Sequence, residues 1–308
     1  MLSEKLFSLW VALMYKCCYL VVILFFITLL STSLAAESSS CEITIKHPLL
    51  QSPKDKLIFK LLTLSIDKVT KNVCYQQVGI EISEARASKF IEKGLIDLQW
   101  SSADSFADEL LIPINVPIFK GILGYRIFVI KQGEQHLFDK IETLADLQGL
   151  TAGQGIFWGD TKILQQAGLP VVTSTNGRSL WHMLALGRFD YFPLAIYEPW
   201  IMLETRPELN LVAEEKLILA YPMALLFYVN KQNTQLHQII EKGMKIAIED
   251  GSYDAVLKAS EMIQLAAKYA NLDARKIIYL QNPNLSTADE LLDYKKQTEE
   301  LLRLITRP

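Results

Sequence analysis

Apolar and polar positions alternate in blocks along this chain, and the block from Leu150 to Glu198 is the most regular. A short apolar run enters a glycine turn, and a helix starts at Asp160. Gly168-Leu169-Pro170 ends that helix, and Val171-Val172-Thr173 reads as the next strand. A second helix follows, and Asp190-Tyr191-Phe192-Pro193 opens a third strand. The order β-α-β-α-β predicts one parallel, doubly wound lobe.

An earlier block repeats the rhythm. It predicts strand Glu42–Lys46, helix Lys54–Lys71, strand Tyr75–Val78, helix Ser83–Lys93 and strand Ile96–Trp100. Leu57, Ile58, Leu61, Leu62, Leu64 and Ile66 give the first helix a wide apolar stripe that faces a sheet. Ser83 suits an N-cap and Gly94 a C-terminal stop. Two almost wholly apolar runs, Gly124–Ile130 and Leu217–Val229, read as a first crossing between lobes and a return crossing. A helix is expected around Leu137–Leu147. Gln235–Leu304 reads as mostly helical, interrupted at Asn282-Pro283-Asn284 and closed by a charged helix over Thr287–Leu304.

The N-terminus adds a compartment. Lys5 and Lys16 precede an apolar centre, and small residues close it at Ser33-Leu34-Ala35. This predicts a secretory signal peptide over residues 1–35, cleaved after Ala35, against an uncleaved membrane anchor. The formal net charge of −3 becomes about −4 once that segment leaves, which is no nucleic-acid footprint. Cys41 and Cys74 are the cysteines that remain, and an exported chain with two predicts a disulfide between them.

Ligands in doubly wound lobes sit where strands end and helices begin. Gln154, Trp158, Asp160, Thr161, Tyr191 and Glu198 occupy such places, and Trp100 ends a first-lobe strand. The helix start near Asp160 offers free N–H groups to an anion, while Asp160 equally suits a cap of its own helix. Arg126 interrupts an apolar strand. It either grips a ligand carboxylate or forms a structural ion pair with Glu198 or Asp160. Arg86, in the first turn of its helix, is a further anion candidate. His47, His136, His182 and His237 lack metal-ligand spacing, and no Ser-His-Asp order with a nucleophile elbow appears. No cofactor and no metal are expected.

The helix entry Ile82-Ser83-Glu84-Ala85-Arg86, then Lys93-Gly94-Leu95-Ile96-Asp97 and Val129-Ile130-Lys131, resembles the family 3 periplasmic solute-binding proteins. A closer resemblance is to one proteobacterial branch of amino-acid ABC transporter substrate-binding-like proteins. It rests on Pro117-x-x-Lys120-Gly121-x-x-Gly124-Tyr125-Arg126, Thr151-Ala152-Gly153-Gln154-Gly155-x-x-Trp158-x-Asp160-Thr161 and Arg188–Pro193. The resemblance implies an α/β, two-lobed type 2 periplasmic-binding-protein clamshell, each lobe a doubly wound, mostly parallel sheet, joined by two strand crossings. The expected division is 41–128 for the first part of lobe 1, 129–218 for lobe 2, 219–280 for the return to lobe 1, and 281–308 for a C-terminal helical extension.

The implied function is a monomeric periplasmic receptor that closes around a small polar solute, amino-acid-like or amine-bearing. Its partner would be an inner-membrane ABC permease or a sensor protein. Receptors of this kind place an arginine after the third strand to hold the α-carboxylate. Here Ser101–Glu109 is acidic and has none, which favours a cationic or amine-bearing ligand. Two alternatives stand beside this: a cyclohexadienyl dehydratase-like enzyme with Glu198 as general acid, and a degenerate clamshell that binds only proteins.

Overall fold

The computed structural model describes residues 41–79, 83–103 and 106–282, with the isolated positions 10, 14, 299 and 302. The chain divides into two units, 1–42 and 43–308. In the first, Trp10 and Met14 are helical. The signal-peptide reading otherwise lies outside the described residues, as does most of the charged helix expected over Thr287–Leu304. Among the described residues no helix is long and apolar enough to cross a membrane.

The second unit begins with β1 (Ile43–His47), α1 (Pro53–Asp67), β2 (Val73–Gln77), α2 (Glu84–Glu92), β3 (Leu98–Ser102), α3 (Ala107–Leu110) and β4 (Ile112–Ile114). It continues with β5 (Tyr125–Lys131), α4 (Gln135–Phe138), α5 (Leu144–Leu147), β6 (Ala152–Gly155), α6 (Gly159–Gln166), β7 (Val171–Ser174) and α7 (Gly177–Ala185). Then come β8 (Phe192–Ala195), α8 (Pro199–Glu204), β9 (Leu211–Ala213), β10 (Leu217–Ala220) and β11 (Leu225–Val229). The last described elements are α9 (Thr234–Glu249), α10 (Ser252–Lys258), α11 (Glu261–Tyr269) and β12 (Lys276–Tyr279).

In the first lobe β1 and β2 run parallel, with Thr44 opposite Cys74. The Asp97 N–H donates to the Lys46 carbonyl at 2.9 Å and ties β1 to the entrance of β3. β11 lies antiparallel between β3 and β4. α1 starts with a capping box in which Ser52 and Asp55 satisfy each other's backbone N–H groups, and Pro53 stands in the first turn. Its buried residues Leu57, Ile58, Leu61, Leu62 and Ile66 fall at helical spacing, and each contributes about 1.5–3 kcal/mol of burial.

β5 is the spine of the second lobe. Its residues Arg126–Ile130 are buried, with β8 on one side and β10 and β9 on the other. β6 pairs in parallel with β7, and an isolated parallel bridge joins Ala152 to Tyr191 at the entrance to β8. The β6–α6–β7–α7–β8 order is the one the sequence pattern predicts for 150–198.

Several expectations change. Gly124–Ile130 is not itself the crossing, because β5 lies wholly in the second sheet and the chain crosses just before it. Lys120 (φ 48) and Gly121 (φ 83) turn that connection sharply. The run Leu217–Val229 is two strands in different sheets, separated by Tyr221-Pro222-Met223-Ala224. Pro222 lacks the N–H a continuous strand would need. The two crossings touch: a Cβ on Gly124 would lie 1.8 Å from the Tyr221 carbonyl oxygen. The sheets are mixed where mostly parallel ones were expected, since β11 in one lobe and β5 in the other run against their neighbours.

The Leu137–Leu147 helix is two short pieces, because Thr143 and Asp146 form a capping box that starts a new helix. The expected helical stretch after Gln235 also contains a strand. β12 pairs in parallel with β10 and α11 lies on α8, so the chain has passed back to the second lobe by α11. α9 lies on α1, where Gly243 lets it approach: a Cβ there would stand 2.0 Å from the Ser65 carbonyl oxygen.

Candidate functional site: the cleft between the lobes

The N-terminus of α1 and the N-cap of α2 from the first lobe face three structures of the second. Those are the β6–α6 turn, the β7–α7 turn and the start of α8. Together they enclose a cleft of about 960 Å³. The loops that build it all lie at strand ends, where helix starts expose N–H groups.

Contacts between described residues span the cleft. Lys54 at the head of α1 forms an ion pair with Glu198 at the head of α8, Nζ to Oε1 2.7 Å. The Gly159 N–H donates to Ser102 Oγ at 3.0 Å. The Arg178 guanidinium donates to Gln51 Oε1. The rings of Phe106 and Phe157 stand 5.8 Å apart.

The site residues predicted from sequence divide into three groups. Trp158 and Glu198 line the cleft. Glu198 is buried and also accepts from the Ala195 N–H at 2.9 Å. Burial pushes its carboxyl up, but the charge and hydrogen bond of Lys54, the charge of Arg126 and the Ala195 N–H outweigh it. The carboxyl is held below its ordinary value. The Trp158 indole lies parallel to the Phe192 ring at 6.2 Å and folds over Gly155, where a Cβ would come within 2.5 Å of it. The space above that glycine is therefore taken by the protein's own tryptophan.

Arg126, Gln154, Asp160 and Thr161 form a buried network behind the cleft. Arg126 Nη2 is 2.8 Å from Asp160 Oδ2. Gln154 Nε2 donates to the same oxygen at 3.2 Å, and the Tyr221 hydroxyl donates to it at 3.1 Å. Asp160 makes no side-chain cap of its own helix. Thr161 Oγ1 donates to the Gly155 carbonyl at 2.7 Å and fixes the β6–α6 turn. Burial pulls the Arg126 pKa down, but the phenols and acids around it, Tyr221 and Asp160 first, push it up overall.

Arg86, Trp100 and Tyr191 sit elsewhere. Arg86 is exposed on α2 with its guanidinium 5.5 Å from the Phe90 ring centre. Trp100 donates from Nε1 to Asp55 at 3.1 Å. Tyr191 is fully buried against Phe128 and Phe138, and burial pushes its phenol well up. In the acidic segment Asp108 accepts from the Tyr228 hydroxyl at 3.1 Å, and Asp104 and Ser105 lie outside the described residues.

No family model and no curated protein matches the sequence. The structure, however, has many solved counterparts. An amino-acid ABC transporter substrate-binding protein from Streptococcus pneumoniae bound to L-arginine aligns with TM-score 0.53 and 13% identity, over 70% of this chain and 93% of its own. A histidine kinase sensor domain with similarity to periplasmic binding proteins gives 0.53 and 14%, over 72% and 97%. An ancestral amino-acid-binding protein, a precursor of cyclohexadienyl dehydratase, gives 0.52 and 14%, over 70% and 95%. The fold is the type 2 periplasmic-binding-protein clamshell. At these identities the likeness concerns the fold.

The clamshell cleft also holds residues that the sequence reading passed over. Arg178 and Trp181 on α7, and Arg206 just after α8, line it. The Arg206 guanidinium lies 4.6 Å from the Trp181 ring centre and donates to the Met202 carbonyl at 2.9 Å. Arg178 follows the β7 end and Asn176-Gly177, so the strand-end rule that picked Trp158 could have found it. Arg206 carries no such signal. Among the described residues no group of His, Cys, Asp and Glu could hold a metal ion.

Proposed function

We propose that this chain is an exported receptor that closes its two lobes around a small polar, amino-acid-like solute, by rotation about the two crossings. The observation that carries this is the cleft itself. Both lobes line it, aromatic side chains stand among more numerous polar ones, and its size suits a small ligand. Trp158 and Glu198 are the sequence-predicted residues assigned to the solute. Arg126, Asp160, Gln154 and Thr161 hold the turn that carries Trp158, and Arg86, Trp100 and Tyr191 are assigned to packing and surface.

The lobe boundaries belong to this proposal. Sheet pairing supports placing them at the connections 115–124 and 221–224, a few residues from 128/129 and 218/219. Family 3 membership, the proteobacterial branch, a cleaved signal over 1–35, a periplasmic location, a monomeric state and a permease or sensor partner form the rest of the reading. Cys41 and Cys74 are both in disulfide form, and we assign them to each other.

A dehydratase would need Glu198 protonated to donate to a leaving hydroxyl. Its surroundings favour the ionised form instead. Thermal unfolding against amino acids, polyamines, small carboxylates and short peptides tests the receptor reading. A ligand at a hundred times its Kd adds about 2.7 kcal/mol. A flat panel, combined with turnover of prephenate or arogenate, would replace the receptor with the enzyme.

A further inference from the structure

The two lobes line the cleft with different chemistry. Among the described residues the first lobe contributes only polar side chains, those of Gln51, Ser52, Lys54, Asp55 and Ser83. The large apolar side chains of the lining belong to the second lobe, and three of them, Ile156, Phe157 and Trp158, are consecutive.

Those three make the β6–α6 turn. The Trp158 N–H donates to the Gly155 carbonyl at 3.0 Å, which puts Ile156 and Phe157 at the two central positions of a tight turn. Such positions favour Gly, Pro, Asn, Asp and Ser. Ile and Phe break that local preference, as residues kept for function do. Folding gives Ile156 no reason to be apolar, because 48% of it is exposed. Phe157 meets Phe106 of the first lobe, and Trp158 is half-buried. The indole is seated on two glycines. A Cβ on Gly155 would meet its ring at 2.5 Å, and one on Gly177 would meet Cζ2 at 3.0 Å.

We propose that Ile156 and Trp158 receive a bulky apolar side chain of the solute, aromatic or aliphatic, while its polar end faces the first lobe. This rests on the receptor reading and narrows the solute. Apolar surface inside a concave site gains free energy when a ligand displaces its water. The turn is also held in place beforehand. The Gly155 carbonyl accepts a second bond from Thr161 Oγ1 at 2.7 Å, and the Ile156 N–H donates to the Ser174 carbonyl at 3.0 Å. The Trp158 indole lies parallel to Phe192. A surface fixed in this way loses little freedom on binding.

The test is calorimetric titration of the purified protein at several temperatures with L-phenylalanine, L-tryptophan, L-leucine, L-arginine, L-glutamate and L-serine. An apolar amino acid should bind tightest, with a negative heat-capacity change, and the aromatic probes against leucine tell which side chain is taken. Ile156→Ser, at an exposed position, should weaken that probe on the order of tenfold with the melting temperature unchanged. Ile156→Leu should retain the affinity, and Trp158→Ala should weaken it at least as much as Ile156→Ser. If L-arginine, L-glutamate or L-serine binds as tightly as the apolar probes, or if Ile156→Ser leaves the affinity for the best apolar probe unchanged, the apolar turn is wrong while the receptor stands. If no probe binds, receptor and turn fall together.

Discussion

Lys54 and Glu198 meet across the cleft at 2.7 Å, one from each lobe, so an ion pair is also a latch. Glu198 is the more buried partner, with 9% of its side chain exposed against 31% for Lys54. Removing one partner of a buried pair is costly, but the exposure of Lys54 reduces the figure. Glu198→Gln or Lys54→Gln should each cost roughly 1–2 kcal/mol and enlarge the radius of gyration in solution scattering. Equal scattering curves for variant and wild type would remove the latch.

Acid should open the same latch. The Glu198 carboxyl is held below its ordinary value of 4.5, so the unfolded chain takes up the proton first. The contribution is fully present above pH 4.5 and is lost as pH falls through the lower native value. Melting temperature should therefore fall below pH 4.5 more steeply in the wild type than in Glu198→Gln, measured by circular dichroism.

Behind the cleft, Arg126 and Asp160 are both nearly fully buried and 2.8 Å apart. Asp160→Asn leaves the guanidinium buried without its counter-charge, and Arg126→Met does the same to the carboxylate. Each should cost about 3–5 kcal/mol in denaturant unfolding. The double variant should recover much of the loss, because the two side chains interact directly.

Gly124 offers a purely steric test. A Cβ there meets the Tyr221 carbonyl at 1.8 Å, backbone against backbone, with no flexible side chain to yield. Gly124→Ala should cost about 1–3 kcal/mol and separate the two crossings. A variant with unchanged stability and unchanged ligand-induced scattering would mean that the crossings do not need that contact.

Cys41 and Cys74 are each in disulfide form, and the proposed pairing of the two would restrict the unfolded chain by about 3–4 kcal/mol. A thiol reductant should lower the melting temperature, and Cys74→Ser should make the protein insensitive to it.

The β-α-β-α-β segment around Gly155 was legible because its elements carry their own local signals: apolar runs, Gly168 as a stop, helix starts after each turn. β12 was not, since Lys276–Tyr279 is four residues long and gains its pairing from β10, distant in sequence. The lining of the cleft was legible where it follows strand ends, as with Trp158 and Glu198. Arg126 was noticed for the right reason, a charge in an apolar strand, and its partner Asp160 was one of two acids named. The cross-lobe pairings of Lys54 and of Gln51 depend on how the lobes meet, which no local pattern encodes. Arg206 gains its place from Trp181, a contact between two elements that neither announces.

The return of α11 and β12 to the second lobe has a mechanical outcome. Among the described residues the polypeptide runs between the lobes three times: before β5, between β10 and β11, and again before α11, which lies on α8. A single protease cut in any one of these leaves two covalent tethers in place. A nicked molecule should thus migrate as one particle under native conditions and come apart into its fragments only after denaturation.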